Sequence, residues 1–152
     1  MNAKSTDDAI EIEVVIQAPA QRVFEAITDP RQRVEWWGVE GRFQVTHMES
    51  DLHPGGAWLM RGTGDAGQPF TMRGEYRVVE PPRVLEFTWI PDWPEPPTCV
   101  RFDLEEKGGT TTVRLTHSGF ADAASRERYQ GWPWLMALLQ TYVQQKVSGN
   151  VV

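Results

Sequence analysis

Ile10, Ile12, Val14 and Ile16 alternate with Glu11, Glu13, Val15 and Gln17, a period of two that predicts a strand with one buried face. The same alternation returns six times between Phe43 and His117. Phe43, Val45 and His47 form one inward row, Trp58 and Met60 a second, and Phe70, Met72, Gly74, Tyr76 and Val78 a third. Leu85, Phe87 and Trp89 follow, then Val100, Phe102 and Leu104, then Val113, Leu115 and His117. At the end the period changes. From Trp132 to Val147 a spacing of about 3.6 residues puts Trp132, Leu135, Met136, Leu139, Tyr142, Val143 and Val147 on one helix face, with Gln140, Gln144 and Gln145 off it.

Turn and cap residues punctuate this pattern. Pro19 suits the first position of a helix whose apolar stripe is Val23, Phe24 and Ile27. Asp29 before Pro30 predicts the N-cap of a second short helix, ending near Trp36, Trp37 and Gly38. His53-Pro54-Gly55-Gly56 and Lys107-Gly108-Gly109 read as turns, and Arg61 to Pro69 as a hairpin loop. Glu80-Pro81-Pro82 stops a strand, and Pro91 to Pro97 reads as a stiff exposed loop. Pro133 lacks an N–H and disfavours helix before it, so Asp122 to Gln130 should be a separate helical piece. Residues 1–9 read as a flexible tail before a single domain over 10–148.

The predicted class is therefore α+β: an antiparallel sheet of six or seven strands wrapped around a long C-terminal helix, with two short helices after the first strand. One helix, about 10 Å wide, cannot cover the concave face of so wide and twisted a sheet. A cavity between helix and sheet follows.

At 152 residues and 40% apolar composition the chain suits one domain with a substantial core. Its formal charge of −6, without a long basic run, speaks against a nucleic-acid groove and against an anionic membrane surface. No apolar run approaches the ~20 residues that span a bilayer. Cys99 is the lone cysteine and Met1 to Ile10 lack an apolar leader core, so the expected location is the cytoplasm.

His117 and Tyr76 are the candidate catalytic groups, since both belong to inward rows and each can hold or move a proton. The competing reading makes His117 a satisfied structural histidine, because no nucleophile elbow accompanies it. His47, His53 and His117 lie on separate segments, so no metal site is expected, and no cofactor is implied. Ligand-lining candidates are Trp58, Met60, Met72, Tyr76, Phe87, Trp89, Phe102 and His117 from the sheet. Trp132, Leu135, Met136 and Leu139 face them from the helix, with Trp36 and Trp37 gating the mouth or sealing the edge. Glu75, Glu80, Glu86, Asp103 and Glu105, with Arg73, Arg77, Arg101 and Arg114, fall on the outer face as ion pairs.

Several short motifs in order carry a family resemblance. They are Ile16-x-Ala18-Pro19, Thr28-Asp29-Pro30 before Trp36-Trp37, Pro54-Gly55-Gly56, Gly74-Glu75-Tyr76, Glu80-Pro81-Pro82-Arg83-Val84-Leu85 leading to Thr88-Trp89, Thr116-His117-Ser118-Gly119-Phe120, and Gly131-Trp132. In these the chain resembles the activator-of-Hsp90-ATPase-homologue-1-like branch of the START-like (SRPBCC, Bet v 1-like) superfamily. It departs at His53, where that branch usually has Arg. The resemblance implies a helix-grip fold and a noncatalytic binder of an apolar, aromatic or lipid-like small molecule. It leaves open a polyketide cyclase or aromatase-like enzyme using His117 or Tyr76, a homodimer, and a regulator docking on an Hsp90-type chaperone ATPase.

Overall fold

The computed structural model describes residues 2–5, 9–39 and 41–149, with the side chains of 9–38 and 41–146. The strands are β1 (Asn2–Ser5), β2 (Ala9–Ile16), β3 (Gly38–Val39), β4 (Phe43–Ser50), β5 (Ala57–Gly64), β6 (Pro69–Glu80), β7 (Val84–Pro91), β8 (Thr98–Lys107) and β9 (Thr110–Ser118). The helices are α1 (Ala20–Thr28), α2 (Pro30–Trp36), α3 (Ala123–Glu127) and α4 (Trp132–Gly149). Every pairing is antiparallel, in the order β1-β2-β9-β8-β7-β6-β5-β4-β3. The fold is α+β, a curled sheet gripping α4.

The predicted alternation finds β2 and β4 to β9 in order, but residues 61–64, read as hairpin loop, continue β5, where 61–63 pair with 69–71 of β6, and the sheet is longer at both ends. Asn2–Ser5, read as tail, pairs with Ile10–Glu13 as an edge strand. Its side chains are polar or small, so the hydrophobic pattern carries no trace of a ladder made by backbone groups alone. Gly38–Val39 adds the two-residue edge β3 beside β4.

Two β-bulges correct the predicted rows. The β4–β5 register shifts between Val45 and His47, so Met48 turns into the core while the His47 ring is half exposed. The β6–β7 register shifts between Tyr76 and Val78, so Val79 packs on the core in place of Val78. One extra residue on a strand reverses the facing of everything beyond it. At Gly74 the sheet leaves no room for a side chain, because a Cβ there would overlap the Thr88 carbonyl oxygen and lie 2.7 Å from Trp58 Nε1.

Pro19 is the N-cap of α1, one position earlier than expected, and offers no side-chain acceptor. Glu106 of the β8–β9 hairpin replaces it, its Oε1 accepting the Ala20 N–H at 2.7 Å and setting a negative charge on the helix N-terminus. Asp29 caps α2 as predicted, accepting the Arg31 N–H at 3.0 Å. The break at Pro133 is also present: α3 ends at Glu127 and α4 starts at Trp132. Trp132, Leu135, Met136, Leu139 and Val143 of α4 are buried, Tyr142 is partly buried, and the Val147 side chain lies outside the described residues. Each buried aliphatic contributes roughly 1.5–3 kcal/mol, which seats α4 in the sheet. The outer face carries part of the expected set of ion pairs, Arg101 with Glu86 at 3.2 Å and Asp103 at 3.1 Å, while Arg114 pairs with Glu13 of β2 at 3.0 Å.

Candidate functional site

Where α4 begins, helix and sheet diverge and leave a cavity of about 470 Å³, open on one side. Its inner wall is aromatic. Trp37 stacks on Trp89 at 6.4 Å between ring centres, and Trp132 meets Trp37 edge-on at 5.4 Å. Met72, Phe70 and Phe43 line the sheet side and Leu135 the helix side, while Trp93, Asp92, Arg128, Tyr129 and Gln68 form the rim. A second, more polar hollow of about 580 Å³ shares Trp37 and Phe43 and runs past Glu35, Leu138 and Tyr142. Glu35 there accepts the Tyr142 hydroxyl at 2.8 Å.

Of the predicted lining residues, Trp37, Met72, Trp89, Trp132 and Leu135 meet in the cavity. Others are closed into the core and reach it only from behind. Trp58 packs edge-on to Phe87, Phe87 stacks on Phe102, and Met60, Met136 and Leu139 are at most 1% exposed. The middle of α4 lies directly on the sheet through Met136 and Leu139, so side chains fill much of the gap that the wide sheet predicted, and space remains at the helix start and in the hollow past Leu138 and Tyr142. Trp36 seals the edge, its Nε1–H donating to the Ala26 carbonyl at 2.9 Å.

His117 is fully buried between Phe120, Tyr129 and Trp132, with Trp89 edge-on. Its Nδ1 accepts the Trp132 Nε1–H at 3.0 Å, and Nε2 lies 2.7 Å from Thr98 Oγ1. An indole N–H only donates, so the ring is the neutral tautomer whose Nε2–H donates to Thr98. Burial lowers its pKa from 6.5 to about 3. Neither nitrogen is left to move a proton. Tyr76 is likewise engaged, its hydroxyl 2.7 Å from Ser50 Oγ, and burial raises its pKa.

Near Tyr76 lies a group that hydrophobic patterning passed over. Arg33 of α2 is 1% exposed, with its guanidinium 4.0 Å from the Trp37 ring centre and Nη1 donating to the Ile27 carbonyl. Its Nε has no acceptor among the described residues. Burial lowers its pKa from 12.5 to about 10, which leaves it charged at neutral pH.

Tyr129, Trp93 and Glu95 also escape prediction, since they lie in segments without periodicity. The segment read as an exposed proline loop in fact carries Pro91 as the buried end of β7, and its Trp93 packs partly against the core. Glu95 holds this loop to the segment before α4: Oε1 accepts Ser125 Oγ–H and Arg128 Nη1–H, each at 2.9 Å, and Oε2 accepts Trp93 Nε1–H at 2.7 Å. Aromatic residues in otherwise polar, proline-broken stretches were the only available signal. Among the described residues no cluster of His, Cys, Asp and Glu suits a metal, and no helix is long and apolar enough to cross a membrane.

A curled sheet around a C-terminal helix, with an aromatic cavity at the helix start, defines a helix-grip domain of the kind that serves as a ligand-binding scaffold. The family model for activator of Hsp90 ATPase homolog 1-like protein matches residues 17–144, and the chain belongs to that family. Solved structures agree. Protein CV1439 from Chromobacterium violaceum is similar at 25% identity and a TM-score of 0.81, over 90% of this chain and 97% of that one. Ms6760 from Mycobacterium smegmatis is similar in fold at 20% identity and a TM-score of 0.80, over 95% and 94%. CalU16 from Micromonospora echinospora is similar in fold at 24% identity and a TM-score of 0.71, over 93% and 80%. No curated protein matches the chain.

Proposed function

We propose that the chain binds an apolar, aromatic or lipid-like small molecule in the cavity at the start of α4, without reacting it. The observation that carries this reading is the open space of about 470 Å³ walled by Trp37, Trp89, Trp132, Met72 and Leu135, within the ~300–1,000 Å³ of small-molecule sites. Three tryptophans give stacking surface, and Met72 adjusts to the outline of a guest. The engagement of both His117 nitrogens favours binding over a cyclase-like reaction through that residue.

The test fills the space. N-phenyl-1-naphthylamine, an uncharged apolar probe, should bind the parent and lose affinity tenfold or more in Leu135→Trp, which projects a ring into the cavity. Met136→Trp, in the closed core, should instead lose roughly 1–3 kcal/mol of stability through overpacking. A parent that binds no probe, or a Leu135→Trp variant that binds it as well as the parent, overturns the proposal.

A further inference from the structure

The polar groups around the cavity select among apolar guests. Tyr129 Oη accepts the Trp89 Nε1–H at 3.2 Å, which occupies a lone pair and leaves the hydroxyl's own proton without an acceptor among the described residues. Among the other donors of the lining, Trp132 Nε1–H is spent on His117, Trp93 Nε1–H on Glu95, and one N–H of the Gln68 amide on Asp65. A donor facing an apolar space without a partner gains when a guest supplies an acceptor.

The charges point the same way. Arg128 is the only basic side chain of the lining, and its guanidinium is held by Glu95 at 2.9 Å. Arg33 is not part of the lining and sits against the Trp37 ring. Asp92 adds a carboxylate to the rim, with Oδ2 accepting the Thr71 N–H at 2.7 Å. An anionic guest would shed water for a wall that offers no free cation and one fixed negative charge.

We propose that the guest is uncharged and carries an acceptor oxygen, a ketone, ester or quinone carbonyl, set against the Tyr129 hydroxyl; this rests on the cavity reading above. Burial raises the Tyr129 pKa from 10 to about 12, so the hydroxyl stays a donor at neutral pH. A fatty acid or other carboxylate is disfavoured.

Three probes of one shape test this: 2-acetylnaphthalene, 2-ethylnaphthalene and 2-naphthoate, each titrated while the indole N–H resonances are followed by NMR. The ketone should bind roughly three- to tenfold more tightly than the hydrocarbon, the worth of one hydrogen bond. Naphthoate should bind most weakly. Tyr129→Phe keeps the ring that packs 4.6 Å from His117 and should erase the ketone's advantage. Naphthoate binding as tightly as the ketone, or a ketone preference that survives Tyr129→Phe, overturns the inference. Three probes that bind alike overturn it while leaving the cavity reading standing, and three that fail to bind overturn both.

Discussion

Replacing His117 with Gln removes the one imidazole that the described residues bury, and the effect should depend on pH in a calculable way. The folded-state pKa is depressed from 6.5 to about 3, so protonation favours the unfolded chain. The stability due to neutral His117 is therefore fully present above about pH 6.5 and is lost as pH falls toward 3. At about 1.4 kcal/mol per pH unit, one such group costs roughly 2 kcal/mol between pH 7 and pH 5. Exposed His53 works in the opposite direction, because its bond to the Pro54 carbonyl and the nearby Asp51 raise its pKa. His53 is common to parent and variant, and the difference between the two chains isolates His117. At pH 7 the variant should be less stable by about 1–3 kcal/mol, since Trp132 Nε1–H loses a buried acceptor. By pH 5 that gap should shrink by roughly 2 kcal/mol. Urea unfolding of both proteins at pH 5, 6 and 7 measures it. A gap constant with pH, or a His117 ring resonance titrating near 6.5, would refute the buried neutral imidazole.

Gly74→Ala should cost about 2–4 kcal/mol in thermal or urea unfolding, because the new Cβ meets the Thr88 carbonyl oxygen in the backbone of β7; an unchanged midpoint would contradict that close approach. Glu95→Gln weakens the acceptor of Ser125, Arg128 and Trp93, so amide exchange should quicken across residues 123–131 while β8 and β9 stay protected. Exchange that rises equally everywhere would place Glu95 among global stabilisers instead.

Sequence legibility followed the reach of each physical signal. The inward rows Leu85-Phe87-Trp89 and Val113-Leu115-His117 repeat every two residues, and burial enforces that period, so strands and faces could be read directly. Asp29 and Pro133 mark helix ends through capping and a missing N–H, both local effects. The edge strand β1 holds by backbone pairing and has no side-chain signature. Periodicity told that Met136 and Leu139 face the sheet as surely as Leu135 does, but facing a void and facing a packed ring look alike in one dimension. Tyr129 and Glu95 reach the site through contacts 30 to 40 residues apart in the chain, Ser125 to Glu95 and Tyr129 to Trp89, which no local pattern encodes.

The bulges in β4 and β6 bear on how such a chain can change over time. Each already houses a surplus residue, so a deletion beside Thr46 or Arg77 would restore plain alternation and leave the inward positions of Met48 and Val79 in place. A single insertion elsewhere in those strands would invert every facing beyond it. Length variation among descendants of this sheet should therefore collect at these two points, which act as tolerated splice marks in an otherwise rigid frame. They give lineages and engineers a way to resize a strand that also lines the cavity by adding or dropping one residue, while the grip on α4 is inherited intact.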